Sequence, residues 1–98
     1  MSHRTKVVEE FSRLGWEYGR ELAEALLLAS RRGNANRALK QAMTRIVIRQ
    51  IDAAVARLRK TGVPPDIGET YQQNARRGVR DELAAAGIIA AEGQRRAA

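Results

Sequence analysis

Cysteine is absent from this 98-residue chain, which excludes disulfides, zinc sites built on thiolates and cysteine nucleophiles. Histidine occurs once, at His3, so neither a histidine-based metal site nor catalysis centred on a histidine is expected. Gly-rich phosphate loops and Ser/His/Asp sets are also missing from the sequence. We therefore predict that the protein is not an enzyme and that it needs no metal or cofactor.

Long hydrophobic runs are lacking as well. The longest, residues 25–29, is far shorter than the roughly 18 residues that predict a membrane span. Glu9 and Glu10 interrupt the region where a secretory signal would have its apolar core. The sequence therefore predicts a soluble, cytoplasmic protein without a membrane partner.

Aromatic residues are few, and no segment alternates apolar with polar residues as a half-buried strand does. Aliphatic residues instead recur every three or four positions, which is the spacing of one face of an α-helix. We predict an all-α, three-helix domain over residues 1–90, built on a long antiparallel helical hairpin. The expected helices span about 5–32, 36–60 and 66–86, and residues 91–98 are expected to form a short disordered tail.

Glycine and proline separate the three predicted helices. Gly33 interrupts the chain after the first helix, and residues 61–65 (TGVPP) do so after the second. Asp66 and Glu69 are spaced as a capping box, so Asp66 is expected to cap the third helix. Gly87 is expected to end that helix in a left-handed conformation.

Each predicted helix has one main apolar face, which we expect to form the core. The members are Val7, Phe11, Leu14, Tyr18, Leu22, Ala25 and Ala29 in the first helix, Leu39, Met43, Ile46, Val47, Ile51, Ala54 and Leu58 in the second, and Ile67, Tyr71, Ala75, Val79 and Leu83 in the third.

Positive charge is concentrated in the middle third of the chain. The formal net charge is +7, and residues 31–60 hold nine basic residues against a single acid, Asp52. Helical spacing places most of these arginines opposite the apolar face of the second helix, and the third helix adds arginines on its own polar face. Such a surface attracts polyanions. The candidate binding residues are Arg37, Arg45, Arg49, Arg59, Lys60, Arg76, Arg77 and Arg80.

Two functional interpretations follow from this charge. The leading one is a small, basic, non-catalytic regulator or accessory factor that binds DNA or RNA mainly through phosphate contacts. The alternative is an inhibitor or adaptor, of the small Ala/Arg-rich kind common in phages and plasmids, that docks on an acidic, nucleic-acid-accepting surface of another protein. An ordinary solvated helix face also remains open. Base reading by Gln73, Arg76 or Arg77 is less favoured, because the connector before the third helix fits a helix-turn-helix poorly.

A second apolar seam on the first helix lies outside its main apolar face. It consists of Trp16, Ala23 and Leu27, and Gly15 and Gly19 border it. Glycines four residues apart allow another helix to approach closely. The seam is either a homodimer interface, with Trp16 as its anchor, or a surface that the third helix or the tail covers within one chain.

Overall fold

The computed structural model describes residues 3–32 and 37–87, with side chains for residues 3–29 and 44–87. Three α-helices occupy these ranges: α1 (His3–Arg32), α2 (Arg37–Lys60) and α3 (Pro65–Ala85). No strand occurs in either range. The all-α, three-helix fold is therefore confirmed, and the helix bounds differ from the predicted ones by at most two residues. The predicted tail lies outside the described residues.

Glycine ends both α2 and α3. Gly62 has a φ of +93°, a backbone conformation that residues other than glycine rarely adopt. Its N–H donates to the Arg59 carbonyl (3.2 Å), and the Val63 N–H donates to the Leu58 carbonyl (3.1 Å). These are the two hydrogen bonds of a Schellman motif, which satisfy carbonyls left over at the end of a helix. Gly87 follows α3 with a φ of +74°, and its N–H also bonds a carbonyl of the last turn (3.0 Å).

The start of α3 differs from the sequence prediction. Pro64 is the N-cap residue, and no side chain makes a capping hydrogen bond. Its carbonyl accepts hydrogen bonds from two N–H groups of the first turn (3.1 and 3.0 Å). Pro65 suits the first helical position because it has a fixed φ and lacks an N–H. The helix therefore starts one residue early, and the predicted capping by Asp66 is wrong; the Asp66 carboxylate accepts from the Arg4 guanidinium instead.

Helix α1 packs most extensively against α3, and the two helices run parallel. A Cβ atom added at Gly15 would lie 2.4 Å from the Tyr71 carbonyl oxygen, and one added at Gly19 would lie 1.9 Å from the Ala75 carbonyl oxygen. Contacts therefore advance in the same direction along both helices. Distances this short show that the two backbones touch with no side chain between them.

Helix α2 runs antiparallel to α3. The Asp52 carboxylate accepts a hydrogen bond from the Gln72 side-chain amide (2.8 Å), whereas Val55, one turn later in α2, lies beside Gly68, one turn earlier in α3. Because α1 and α3 are parallel, α2 also runs opposite to α1, as the predicted hairpin requires. The three helices thus form an up-down-up bundle whose tightest contact joins the first helix with the third.

The core lies where the three helices meet, and Ile51 is its largest fully buried side chain. The predicted apolar face of α3 is buried except for the half-buried Tyr71. On α2, however, Ile46 is 53% exposed, while the buried Val55 takes a place in the core that the sequence did not assign to it. The core cluster comprises Ala23, Leu26, Val47, Ile51, Val55, Ala75, Val79 and Leu83.

The buried face of α1 is not the one predicted. Gly15, Gly19 and Ala23, which we call the glycine seam, are buried against α3, whereas Leu14 is 40% exposed and Ala25 is exposed. Only one face of α1 can receive α3, and a seam without large side chains allows the closest backbone approach. Close packing therefore selected the small residues for the most buried positions. Of the predicted face, Leu14, Ala25 and Ala29 are exposed, whereas Val7, Phe11, Tyr18 and Leu22 are half-buried.

Candidate nucleic-acid interface

The basic residues predicted on α2 lie at the surface wherever their side chains are described. Arg45, Arg49, Arg59 and Lys60 are all exposed, and all but Arg59 lie on the side of α2 away from Ile51. Arg45 and Arg49 are four residues apart, so they point in similar directions about 6 Å apart along the helix axis. The side chain of Arg37 lies outside the described residues.

Helix α3 presents its own basic residues. Arg76, Arg77 and Arg80 are exposed, as is Gln73, while the opposite side of the helix carries the buried Ala75 and other core residues. The helical spacing of the three arginines keeps them within roughly 100° of one another. They therefore form a second solvent-facing group of cations, on the helix next to α2.

Asp52 connects the two groups of cations. Its carboxylate accepts from the Gln72 amide (2.8 Å) and from an Arg76 guanidinium nitrogen (3.3 Å). Because α2 and α3 are antiparallel, residues that precede Asp52 lie level with residues that follow Arg76. Arg49 and Arg80 consequently belong to one surface that spans both helices. We call this surface the α2–α3 arginine face: Arg45, Arg49, Arg76, Arg77 and Arg80.

Two of the predicted binding residues lie apart from this face. Arg59 is beside Gly68, in the first turn of α3, with the Arg59 Cγ 3.9 Å from the position a Gly68 Cβ would take. Lys60 is the next residue along α2. Ten residues separate Arg49 from Arg59, which is about 15 Å along the helix axis. The predicted stripe is therefore divided into a cluster at the middle of the α2–α3 pair and a pair of cations at one end.

The arginines of α1 differ from those of α2 and α3 in having acidic partners. Every α1 arginine with a described side chain makes an ion pair, and hydrogen bonds to Glu10 and Glu17 raise the pKa of Arg13 above its ordinary value. Their positive charge is therefore compensated within the chain. The pairs are Arg4 with Asp66, Arg13 with Glu10 and Glu17 (3.0 Å), and Arg20 with Glu82 (3.1 Å).

On α2 and α3, one cation with a described side chain, Arg76, has an acidic partner. Within residues 3–29 and 44–87 no acid pairs with the others, which include Arg57, an exposed residue that the predicted site omitted. Helical spacing places Arg57 at the edge of the apolar sector predicted for α2, so its exposure could not be read from the pattern. The unpaired cations are Arg45, Arg49, Arg57, Arg59, Lys60, Arg77 and Arg80.

The seam of Trp16, Ala23 and Leu27, for which the sequence left a dimer interface and coverage within one chain open, lies against α3. The Trp16 indole N–H donates to the Asp81 carboxylate (2.9 Å), and the Arg20 guanidinium lies 4.8 Å from the centre of the indole ring. Ala23 is fully buried, and Leu27 packs against the core cluster. Ala23 therefore has no surface left for a second copy of the chain. This placement corresponds to the interpretation in which the third helix covers the seam.

Other kinds of site are not evident in the described ranges. No group of three His, Cys, Asp or Glu residues there could hold a metal ion, and none of the three helices is long and apolar enough to cross a membrane. A shallow depression is lined by Leu27 and Leu28 with the carboxylates of Glu24 and Glu82. Two carboxylates repel phosphate groups, so this depression does not suit a nucleic acid.

Comparisons with protein-family models, curated proteins and solved structures found no match to this chain. Its function is therefore inferred from the charges and geometry of its own residues.

Proposed function

We propose that this protein is a small, basic, non-catalytic factor that binds DNA or RNA mainly through phosphate contacts, using the α2–α3 arginine face. The observation that carries the proposal is the difference in charge pairing between the helices. The described arginines of α1 are held by acids, whereas most cations of α2 and α3 have no acidic partner in the described ranges. Exposed cations of this kind neutralise phosphates and release the counterions condensed on a nucleic acid.

The geometry of the face supports a phosphate backbone as the ligand. The arginines form rows on two adjacent helices, and the guanidinium group can bind two phosphate oxygens at once. Asp52, the acid between the two rows, already accepts hydrogen bonds from Gln72 and Arg76. Its charge is thus partly offset, which lessens the repulsion that a phosphate would meet there.

The test is a fluorescence-anisotropy titration of a random duplex and of a single-stranded RNA at several salt concentrations. Substitution of Arg45, Arg49 and Arg80 by Gln should weaken duplex binding. It should also flatten the dependence of log affinity on log salt by about 2.7, since each phosphate contact contributes about 0.9. Gln resembles Arg in helix propensity, so the helices should persist, and circular dichroism would verify this.

A matched control removes the same amount of charge from the other side of the molecule. Arg4, Lys6 and Arg13 are exposed on α1, and their substitution by Gln also lowers the net charge by three. The control should leave most of the salt dependence unchanged. Equal effects of the two triple variants would mean that net charge alone drives binding, which contradicts a defined face.

Failure of the wild-type protein to bind either nucleic acid at low salt would refute the proposal. Binding to an acidic protein surface would then be the function to test, by adding the protein to an acidic partner under the same salt series. That interaction would also weaken with salt, but the random duplex would remain free.

A further inference from the structure

A second surface of the molecule is apolar and exposed. Leu14 and Leu28 on α1 are 40% and 55% exposed, and Ile46 on α2 is 53% exposed. Ala25 and Ala53 are exposed beside them. We call these five residues the open apolar face. Large aliphatic side chains that are gathered on one side of a small domain typically mark a surface that another chain covers.

The two parts of the open apolar face lie on the same side of the bundle, opposite α3. On α1, its residues lie roughly 150° around the helix axis from the glycine seam, which contacts α3. On α2, Ile46 and Ala53 lie roughly 140° from Asp52 and Val55, which contact α3. These directions place both sets on the outer surface of the α1–α2 pair; Leu28, near one end of it, also lines the depression that Glu82 of α3 borders.

The two halves of this surface carry opposite charges. Along α1, the exposed Glu10 and Glu21 lie in the same sector as Leu14 and Leu28, and the exposed Glu17 lies just outside it. Along α2, the exposed Arg57 and Lys60 flank Ile46 and Ala53, one on each side. The α1 half of the surface is therefore acidic and the α2 half is basic, with the aliphatic side chains between the charges.

We propose that the open apolar face binds a second copy of this chain, in a two-fold symmetric dimer in which α1 of each protomer packs on α2 of the other. A two-fold axis parallel to the helices produces this arrangement and sets the acidic α1 half of each protomer against the basic α2 half of the other. A two-fold axis that lies in the interface perpendicular to the helices would instead place α1 of one protomer on α1 of the other. The glutamates of the two α1 helices would then face each other. Like charges that face each other across an interface are costly, so the charge pattern selects the first arrangement.

The size of the surface is adequate for such a dimer. Two adjacent helices about 20 residues long present a face roughly 30 Å by 20 Å. This is of the order of the 800 Å² that each partner buries in a standard interface. The α2–α3 arginine face is centred roughly 70° around α2 from Ile46 and Ala53, on the neighbouring outer surface of the bundle, and is not part of the proposed dimer contact. The dimer proposal is therefore independent of nucleic-acid binding.

The mass of the full-length protein in solution, measured by sedimentation equilibrium across the micromolar range without nucleic acid, tests this inference. The wild type should have twice the mass of one chain. Leu14→Glu or Leu28→Glu should raise the dimer dissociation constant by more than about tenfold, because each buries a charge in an apolar contact. Gln73→Glu adds a negative charge on the outer side of α3 and should leave the mass unchanged.

Charge reversal tests the arrangement of the helices. Glu10→Arg and Arg57→Glu should each weaken the dimer, and the two substitutions together should restore most of its affinity. Without restoration in the double variant, the packing of α1 on α2 would be refuted. A wild type that is monomeric throughout would refute the dimer itself. Loss of mass in Leu27→Glu but not in Leu14→Glu would assign the interface to the surface of Trp16 and Leu27 and would also overturn the proposal.

Discussion

Replacement of Gly19 by Ala should destabilise the protein, although alanine is the better helix former. The new Cβ would lie 1.9 Å from the Ala75 carbonyl oxygen and 2.7 Å from the Ala75 carbonyl carbon. Both atoms belong to a helix backbone, so no side-chain rotation can relieve the overlap. Ordinary contact begins near 3.4 Å, so the helices would have to separate locally by about 1.5 Å, which forfeits much of the dispersion attraction along the contact.

Two opposing effects determine the size of the loss in stability. Alanine in place of glycine favours a helix interior by about 1 kcal/mol. Overpacking of a well-packed contact typically costs about 1–3 kcal/mol, and a clash between two backbones belongs at or above the upper end. The free energy of unfolding should therefore fall by about 2 kcal/mol. For a domain of this size, the melting temperature should fall by about 8–16 °C.

Gly68→Ala is the matched control for this prediction. An added Cβ at Gly68 would lie 3.8 Å from the nearest side-chain atom, on Val55, which is an ordinary contact. This variant should be as stable as the wild type or more stable by up to about 1 kcal/mol. Thermal and urea unfolding followed by circular dichroism would measure both variants. A Gly19→Ala protein that is as stable as the wild type would refute the close packing of α1 on α3.

Two further predictions concern Tyr71 and Gly62. Burial raises the pKa of Tyr71, with a smaller contribution from Tyr18; the unfolded chain therefore loses the phenol proton first, and stability should fall as the pH rises above about 10. Tyr71→Phe should lessen this alkaline loss in melting temperature, and an unchanged pH profile would contradict the assignment. Gly62→Ala should cost about 1 kcal/mol because of the positive φ and not because of crowding, since nothing lies within 4 Å of the new Cβ. Urea unfolding would measure that loss, and wild-type stability would contradict it.

The number and extent of the helices could be predicted from the sequence alone. Apolar spacing is a local property of each segment, and Gly62 and the prolines after it interrupt a helix whatever surrounds them. The exposure of Arg45 and Arg49 was predictable for the same reason, because they lie opposite Ile51 on α2. The N-cap residue of α3 could not be predicted from the sequence, because Asp66 suited the N-cap position and Pro65 equally suited the first helical position.

The packed face of α1 was decided by the tertiary structure. The sequence contains two apolar faces on this helix, one around Leu14 and one along the glycine seam, and helical periodicity cannot rank them. Which face of α1 is packed depends on the helix that packs against it. Ala75 and Gly78 on α3 are small enough for the α3 backbone to touch that of α1. Close contact of two backbones needs small residues on both helices, and the two sets are separated by more than 50 residues in the chain.

The pairing of charges also required the fold. Arg4, Arg20 and Asp52 find their partners on α3, between 20 and 62 residues away in the chain. The sequence determined that residues 31–60 carry a large excess of positive charge, since composition alone sets that excess. Which cations remain without an acid within hydrogen-bond reach depends on distances between helices. Only the packed structure determines those distances, because ion pairing acts over a few ångströms in space and not along the chain.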